Sequence, residues 1–244
     1  MASVASASPL AGKRAVVTGA SSGIGRAVAL ELARQGVTLH LLGRREGALA
    51  EVVRQVQGWG GAARAYPVDL TDERALREVG AELGEGGLDV LVHSAGTVSL
   101  GPVLEASVAD FDRQYALNVR APFLLTQLLL PSLKRARGQV AFLNSGSGLV
   151  ARASWSQYAA TKHALKALAD ALREEVKADG VRVVSVYPGR TASPMQARVH
   201  ELEGRAYDPA RFVQPESVAA MILAALALPP TAEVTDLSVR PGPG

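Results

Sequence analysis

The chain contains no cysteine. That excludes a disulfide framework, a thiolate metal centre and a cysteine nucleophile. Its four histidines are scattered and show no ligand spacing, so no metal site is expected. Aromatic residues make up only 5% of the chain, which leaves the core to aliphatic side chains. No long block of Lys or Arg occurs and the net charge is only +3, a pattern that argues against a nucleic-acid groove and suits a small anionic ligand. No apolar run reaches the roughly 18 residues of a membrane span; the longest candidate, residues 123–130, is short and flanked by proline. The first nine residues lack the basic start and apolar run of a secretory signal. The expectation is a soluble, cytoplasmic protein without a membrane or nucleic-acid partner. It would have a loose tail over residues 1–11 and one domain over 12–244.

With 48% apolar residues in 244, one sizeable core can form. Short runs rich in Val, Ala and Leu alternate with longer stretches of helical period, the pattern of βαβ units around a parallel sheet. Strands are expected over 14–18, 38–42, 63–68, 89–93, 139–144, 182–187 and 233–239. Helices are expected over 23–35, 46–57, 72–83, 108–135, 157–178 and 216–227, with Gly36, Gly58, Gly84, Gly138 and Gly180 as stop signals. The fold class is α/β: a Rossmann-type, doubly wound, parallel seven-stranded sheet with helices on both faces.

The first strand runs into Thr18-Gly19-Ala20-Ser21-Ser22-Gly23-Ile24-Gly25, where a helix opens. Glycines there permit a tight turn and close approach of the backbone to a pyrophosphate, and the helix N-terminus supplies N–H donors. Any tight strand-to-helix turn would use similar residues, so the motif gains weight from its setting. The second strand ends in Leu42-Gly43-Arg44-Arg45. An acid at this point selects a free ribose 2′-hydroxyl, whereas a guanidinium can grip a 2′-phosphate through two hydrogen bonds. Arg44 and Arg45 therefore favour NADPH over NADH.

The fifth strand ends in Asn144-Ser145-Gly146, at the edge where open α/β sheets hold ligands. Further on, Tyr158 and Lys162 are four residues apart and share one helix face. A free phenol titrates near 10, so positive charge from Lys162 is expected to bring Tyr158 closer to neutral pH. Taken alone, the pair would suit an ordinary exposed helix face equally well. Asn118 precedes Pro122 by four residues; because proline has no N–H, the Asn118 carbonyl is expected to be free, at a kink, to hold a water.

Together these residues resemble the short-chain dehydrogenase/reductase family, of the classical NADP-preferring type, from Lys13 to Val239. The glycine turn is similar to the family's Thr-Gly-x-x-x-Gly-x-Gly, and Asp69-Leu70 to its adenine-contacting pair. Asn118, Ser145, Tyr158 and Lys162 match its catalytic tetrad. Pro188-Gly189 matches its segment after the sixth strand, where Thr191 and Ser193 would face the nicotinamide carboxamide. His93-Ser94-Ala95-Gly96 stands where the family usually reads Asn-Asn-Ala-Gly. Ser94, Ala95 and Gly96 are still assigned to the cofactor cleft, and His93 is read as a packing residue.

The resemblance implies NADP(H) as cofactor and a ketone, aldehyde or secondary alcohol as substrate. Tyr158 would act as acid/base, Ser145 would polarise the substrate oxygen, and Lys162 would hold the nicotinamide ribose. Asn118 would relay protons through a water. A homodimer or homotetramer is implied, formed through the helices that carry Asn118 and Tyr158. Residues 190–215 are expected to fold over the substrate, with Met195, Val199, Leu202, Tyr207 and Phe212 making an apolar pocket. Two other readings stay open: a non-catalytic NADPH sensor or scaffold, and an epimerase or dehydratase with tightly held cofactor.

Overall fold

A computed structural model describes residues 8–242. Its centre is a seven-stranded parallel sheet in the order β3-β2-β1-β4-β5-β6-β7. The strands are β1 (Arg14–Thr18), β2 (Thr38–Gly43), β3 (Ala63–Pro67), β4 (Val90–His93), β5 (Gln139–Leu143), β6 (Arg182–Pro188) and β7 (Asp236–Val239). Every residue of β4 and β5 is buried. That is why these strands read as near-continuous apolar runs, with only His93 at the end of β4 and Gln139 at the start of β5 as polar exceptions: a parallel sheet covered on both faces has no solvent side to select polar residues.

Two layers of helix supply the cover. On one face α1 (Gly23–Arg34), α2 (Glu46–Gly58) and α8 (Pro215–Leu226) contribute Val28, Leu32, Leu49, Val52 and Ile222 to one apolar cluster. On the other, α3 (Glu73–Glu85), α5 (Ala121–Ala136) and α6 (Ser156–Val176) contribute Leu76, Leu125, Leu129, Leu165 and Ala169 to a second. Each fully buried Leu or Ile is worth roughly 1.5–3 kcal/mol relative to exposure. Because the strand order reverses between β1 and β4, a crevice opens at the carboxyl ends of those two strands.

Several elements differ from the sequence expectation. The helix expected over 108–135 is interrupted: α4 (Val108–Tyr115) ends in a π-helical segment, Ala116–Arg120, before α5 begins. There the Ala121 N–H reaches back five residues to the Ala116 carbonyl, so Pro122 follows an inserted residue rather than a simple kink. A helix that was not expected, α7 (Pro194–Leu202), lies after β6. Of the expected glycine stops, Gly36 and Gly180 take positive φ, whereas Gly58 and Gly84 lie inside α2 and α3. At the end of α5, Arg137 rather than Gly138 adopts the left-handed conformation.

Residues 1–7 of the expected tail lie outside the described residues. Leu10, inside the expected tail boundary, is buried, and the adjoining Gly12 N–H donates to the Gly36 carbonyl at 3.0 Å. Its isobutyl group finds apolar cover in the cluster formed with α1 and β2. Among the described residues no helix is long and apolar enough to cross a membrane, and no group of His, Asp and Glu is arranged to hold a metal ion.

Candidate active site

The crevice is a cleft of about 1130 Å³. Its floor starts at the glycine turn, where Gly19, Ser21, Ser22, Gly23 and Ile24 line it. Gly19 has φ +66°, and a Cβ on it would stand 2.8 Å from Ala95 Cα. No side chain larger than hydrogen fits there. Ser22 precedes α1 in an extended conformation and makes no capping hydrogen bond with its hydroxyl, so the first-turn N–H groups of α1 keep their donor capacity beside the cleft. Gly25 does not line the cleft. Its own Cβ would meet the Gly19 carbonyl at 2.5 Å, so it lets the helix sit against the turn beneath the floor.

At the outer end of this floor Arg44, Arg45, Asp69 and Leu70 converge. Arg45 donates to the Ser21 carbonyl at 3.2 Å and to its hydroxyl at 3.1 Å, which ties the end of β2 to the glycine turn. Asp69 accepts from the Thr71 N–H at 2.9 Å and its hydroxyl at 2.7 Å. Those hydrogen bonds, with a smaller contribution from the Arg44 charge, hold its carboxyl below the usual range. Ser94, Ala95 and Gly96 line the middle, and Thr18 Oγ1 accepts from both the Ser94 and Ala95 N–H groups at 3.1 Å.

His93 points away from this chemistry. It is buried, stacks on Phe142 with ring centroids 4.9 Å apart, and pairs with Thr126 Oγ1 at 2.9 Å. Burial pushes its pKa down to about 3, so the ring is neutral, as a packing role requires.

Ser145, Tyr158 and Lys162 come together on the opposite wall. Ser145 follows β5 after Asn144, and its hydroxyl accepts from the Ser147 N–H at 3.1 Å. Tyr158 lies in the first turn of α6, where Trp155 meets its ring edge-on at 5.9 Å. Lys162 follows one turn later; its ammonium stands 5.8 Å from the Tyr158 ring centre and donates to the Leu143 carbonyl at 2.9 Å. Burial dominates both titrations. It raises Tyr158 to about 12, opposed by the hydrogen bond with Ser145, and lowers Lys162 to about 8. The expectation that Lys162 draws the phenol downward is therefore corrected for this structure: desolvation of the enclosed phenolate outweighs other influences.

Asn118, the remaining residue of the expected tetrad, is buried behind the cleft and does not line it. Its side chain is a clamp. Oδ1 accepts from the Thr97 N–H at 2.8 Å, while Nδ2 donates to the Thr97 carbonyl at 3.0 Å and to Thr161 Oγ1 at 3.1 Å. The loop after β4 is thereby fixed to α6 one residue from Lys162.

Pro188, Gly189, Thr191 and Ser193 close the far side. Ser193 is the N-cap of α7, accepting from the Gln196 N–H at 3.1 Å, and the Ser193 N–H donates to the Tyr207 hydroxyl at 3.0 Å. Of the five apolar residues expected to face substrate, only Met195 and Val199 line the cleft. Leu202 is exposed, and Tyr207 and Phe212 stack on one another at 5.8 Å against His200, outside the lining of the cleft. Sequence reading also missed Leu149, Val150, Arg152 and Trp155 on the loop before α6, together with Arg198 and Arg205 around α7. Their only sequence signal was proximity to Ser145 and Tyr158, or to the expected lid.

The profile of the family described as short chain dehydrogenase matches residues 13–204. The chain belongs to that family. Among its relatives, an uncharacterized short-chain type dehydrogenase/reductase of Sinorhizobium fredii is 36% identical over 234 residues, covering 93% of this chain and 90% of that protein. Two solved structures extend the likeness. A metagenomic short-chain oxidoreductase in complex with NADP superposes with TM-score 0.83 at 30% identity, covering 96% of this chain and all of that one (100%). The alcohol dehydrogenase of the archaeon Thermococcus sibiricus, complexed with 5-hydroxy-NADP, gives TM-score 0.86 at 27% identity, covering 94% of this chain and 96% of that one.

Proposed function

We propose that the protein is an NADPH-dependent oxidoreductase that interconverts a ketone or aldehyde and the corresponding alcohol, with Tyr158 as the acid/base. The observation that carries this reading is the convergence of Tyr158, Ser145 and Lys162 on one wall of the cleft whose floor is the glycine turn. The NADP-bound relatives support the choice of cofactor. So does the chemistry of the cleft. The uncapped start of α1 and the side-chain-free approach at Gly19 suit a pyrophosphate, and Arg44, exposed beside Asp69, suits a 2′-phosphate.

NADPH, when held in the cleft, would supply the hydride. In reduction, Tyr158 gives its proton to the substrate oxygen while the Ser145 hydroxyl orients that oxygen. Burial favours the neutral phenol, the form able to donate. The Lys162 ammonium would hold the nicotinamide ribose. Asn118 keeps the loop after β4 locked to α6; in this reading its main-chain carbonyl, four residues before a proline that lacks an N–H, would relay protons towards Lys162 through a water. Thr191 and Ser193 would meet the nicotinamide carboxamide. In oxidation the same groups act in reverse.

A homodimer or homotetramer belongs to this reading. Leu104, Val108, Phe111, Tyr115 and Phe123 leave an apolar face exposed along α4, α5 and the loop before them, and a second copy would cover it. The test of function is NADPH absorbance across a panel of ketones, aldehydes and alcohols in both directions. Turnover is expected; NADPH binding without turnover of any compound would favour a sensor, and cofactor that stays bound through purification would favour an epimerase or dehydratase.

A further inference from the structure

We infer that the outer half of the cleft selects a carbonyl compound bearing an anionic group, carboxylate or phosphate, and that Arg152 is the residue that meets this charge. The inference rests on the carbonyl oxidoreductase reading above and adds the substrate class.

The outer half is formed by the loop between β5 and α6 on one side and by α7 with its following turn on the other. Its charges are unbalanced. Arg152, Arg190, Arg198 and Arg205 line it, and Glu203 is its single carboxylate. Glu203 is already committed: Arg190 holds its Oε1 at 2.6 Å, Arg205 stands 3.8 Å from Oε2, and the Arg190 guanidinium keeps its pKa below the usual range. Arg198 pairs at 2.6 Å with Glu201, an exposed residue outside the cleft. Arg152 is exposed and has no ion pair among the described residues. A cluster of guanidiniums around a concave mouth raises the local concentration of anions, and a planar guanidinium grips carboxylate or phosphate through two hydrogen bonds.

The loop that carries Arg152 has a defined shape. Two residues on, Ser154 takes φ +65°, a left-handed conformation that costs a serine free energy. Its carbonyl accepts from the Gly101 N–H at 2.8 Å, which pins the turn to the segment after β4. Trp155 follows and sets its ring edge-on to Tyr158. Leu149 and Val150, exposed on the cleft side of the same loop, with Met195 and Val199 opposite, offer apolar walls. The apolar body of a substrate therefore fits between Tyr158 and the mouth, with its charge at Arg152.

The test compares matched pairs. Benzoylpropionate and its methyl ester share carbonyl, ring and chain and differ in charge; dihydroxyacetone phosphate and dihydroxyacetone make the comparison for phosphate. With NADPH, the charged member of at least one pair is expected to show about tenfold higher kcat/KM at low salt. The advantage should shrink as salt rises, and the pair that shows it identifies carboxylate or phosphate. In Arg152→Ala the ratio should fall towards one through a rise in KM. Equal or better use of both neutral members by the wild type, or an unchanged ratio in Arg152→Ala, would overturn the inference. If none of the four compounds is turned over, the carbonyl reductase reading is in trouble. The rim is then judged by quenching of tryptophan fluorescence in the NADP-loaded protein: tighter binding of benzoylpropionate than of its ester supports the inference, and equal affinity overturns it.

Discussion

The Lys162 ammonium donates to the Leu143 carbonyl across 2.9 Å, joining α6 to the last residue of β5. Burial lowers its pKa to about 8, so it is charged below that pH and neutral above it. Tyr158, raised to about 12, stays protonated throughout this range. In the reductive direction kcat/KM is therefore expected to decline as pH rises through about 8, because the ammonium that holds the ribose is lost there. Lys162→Arg keeps its charge, so a pH-rate profile of that variant should lack the decline. An identical descending limb in both proteins would refute the assignment.

Tyr158→Phe removes the proton donor and keeps the ring against Trp155. Turnover should fall by about 10²–10⁴-fold or more, while NADPH affinity, measured by fluorescence, stays within about twofold. Retained turnover would exclude Tyr158 as the acid.

Arg44 is exposed near Asp69 and makes no ion pair among the described residues, whereas Arg45 is engaged with Ser21. Replacing Arg44 by Ala should weaken NADPH binding by about ten- to a hundredfold, the usual worth of a charge-assisted contact. NADH affinity should change little. Titration of both cofactors against both proteins decides it, and an equal loss for the two would remove the 2′-phosphate assignment.

His93 sets an acid limit on stability. Its folded pKa is about 3 against an ordinary value near 6.5, so the unfolded chain binds the extra proton first as pH falls. Its contribution is fully present above about pH 6.5 and is lost below it, at about 1.4 kcal/mol per pH unit until about 3. Urea unfolding between about pH 7 and pH 5 should show a shallower fall for His93→Asn than for the wild type. Equal slopes would mean that His93 titrates normally.

The sheet was legible because β4 and β5 are buried on both faces and so are apolar except for His93 and Gln139 at their ends. The glycine turn was legible for a similar reason: Gly19 and Gly25 stand where no Cβ fits, and that constraint is local. Placement by burial was not. Sequence pairs Lys162 with Tyr158 by helical spacing, yet whether the phenol rises or falls depends on how dry the wall is, which α7 and the loop after β4 determine. Asn118 was found by its proline, but its side-chain clamp on Thr97 and Thr161 needed the fold. Helix α7 escaped because its nine residues begin at a proline and mix polar with apolar positions without a clear period. Arg152 reads as ordinary surface charge until the loop is closed over Tyr158.

The π-helical segment at Ala116–Arg120 acts as a phase offset between two halves of one rod. Each residue advances a helix by about 100°, so the inserted residue lets Asn118 face α6 while Ala121, Leu125 and Leu129 still face the sheet. Deleting one residue from the segment would restore regular winding yet turn either the clamp or the core outward. The polar and apolar halves of this rod are thus indexed separately, and the length of the segment matters alongside the identity of Asn118 within it.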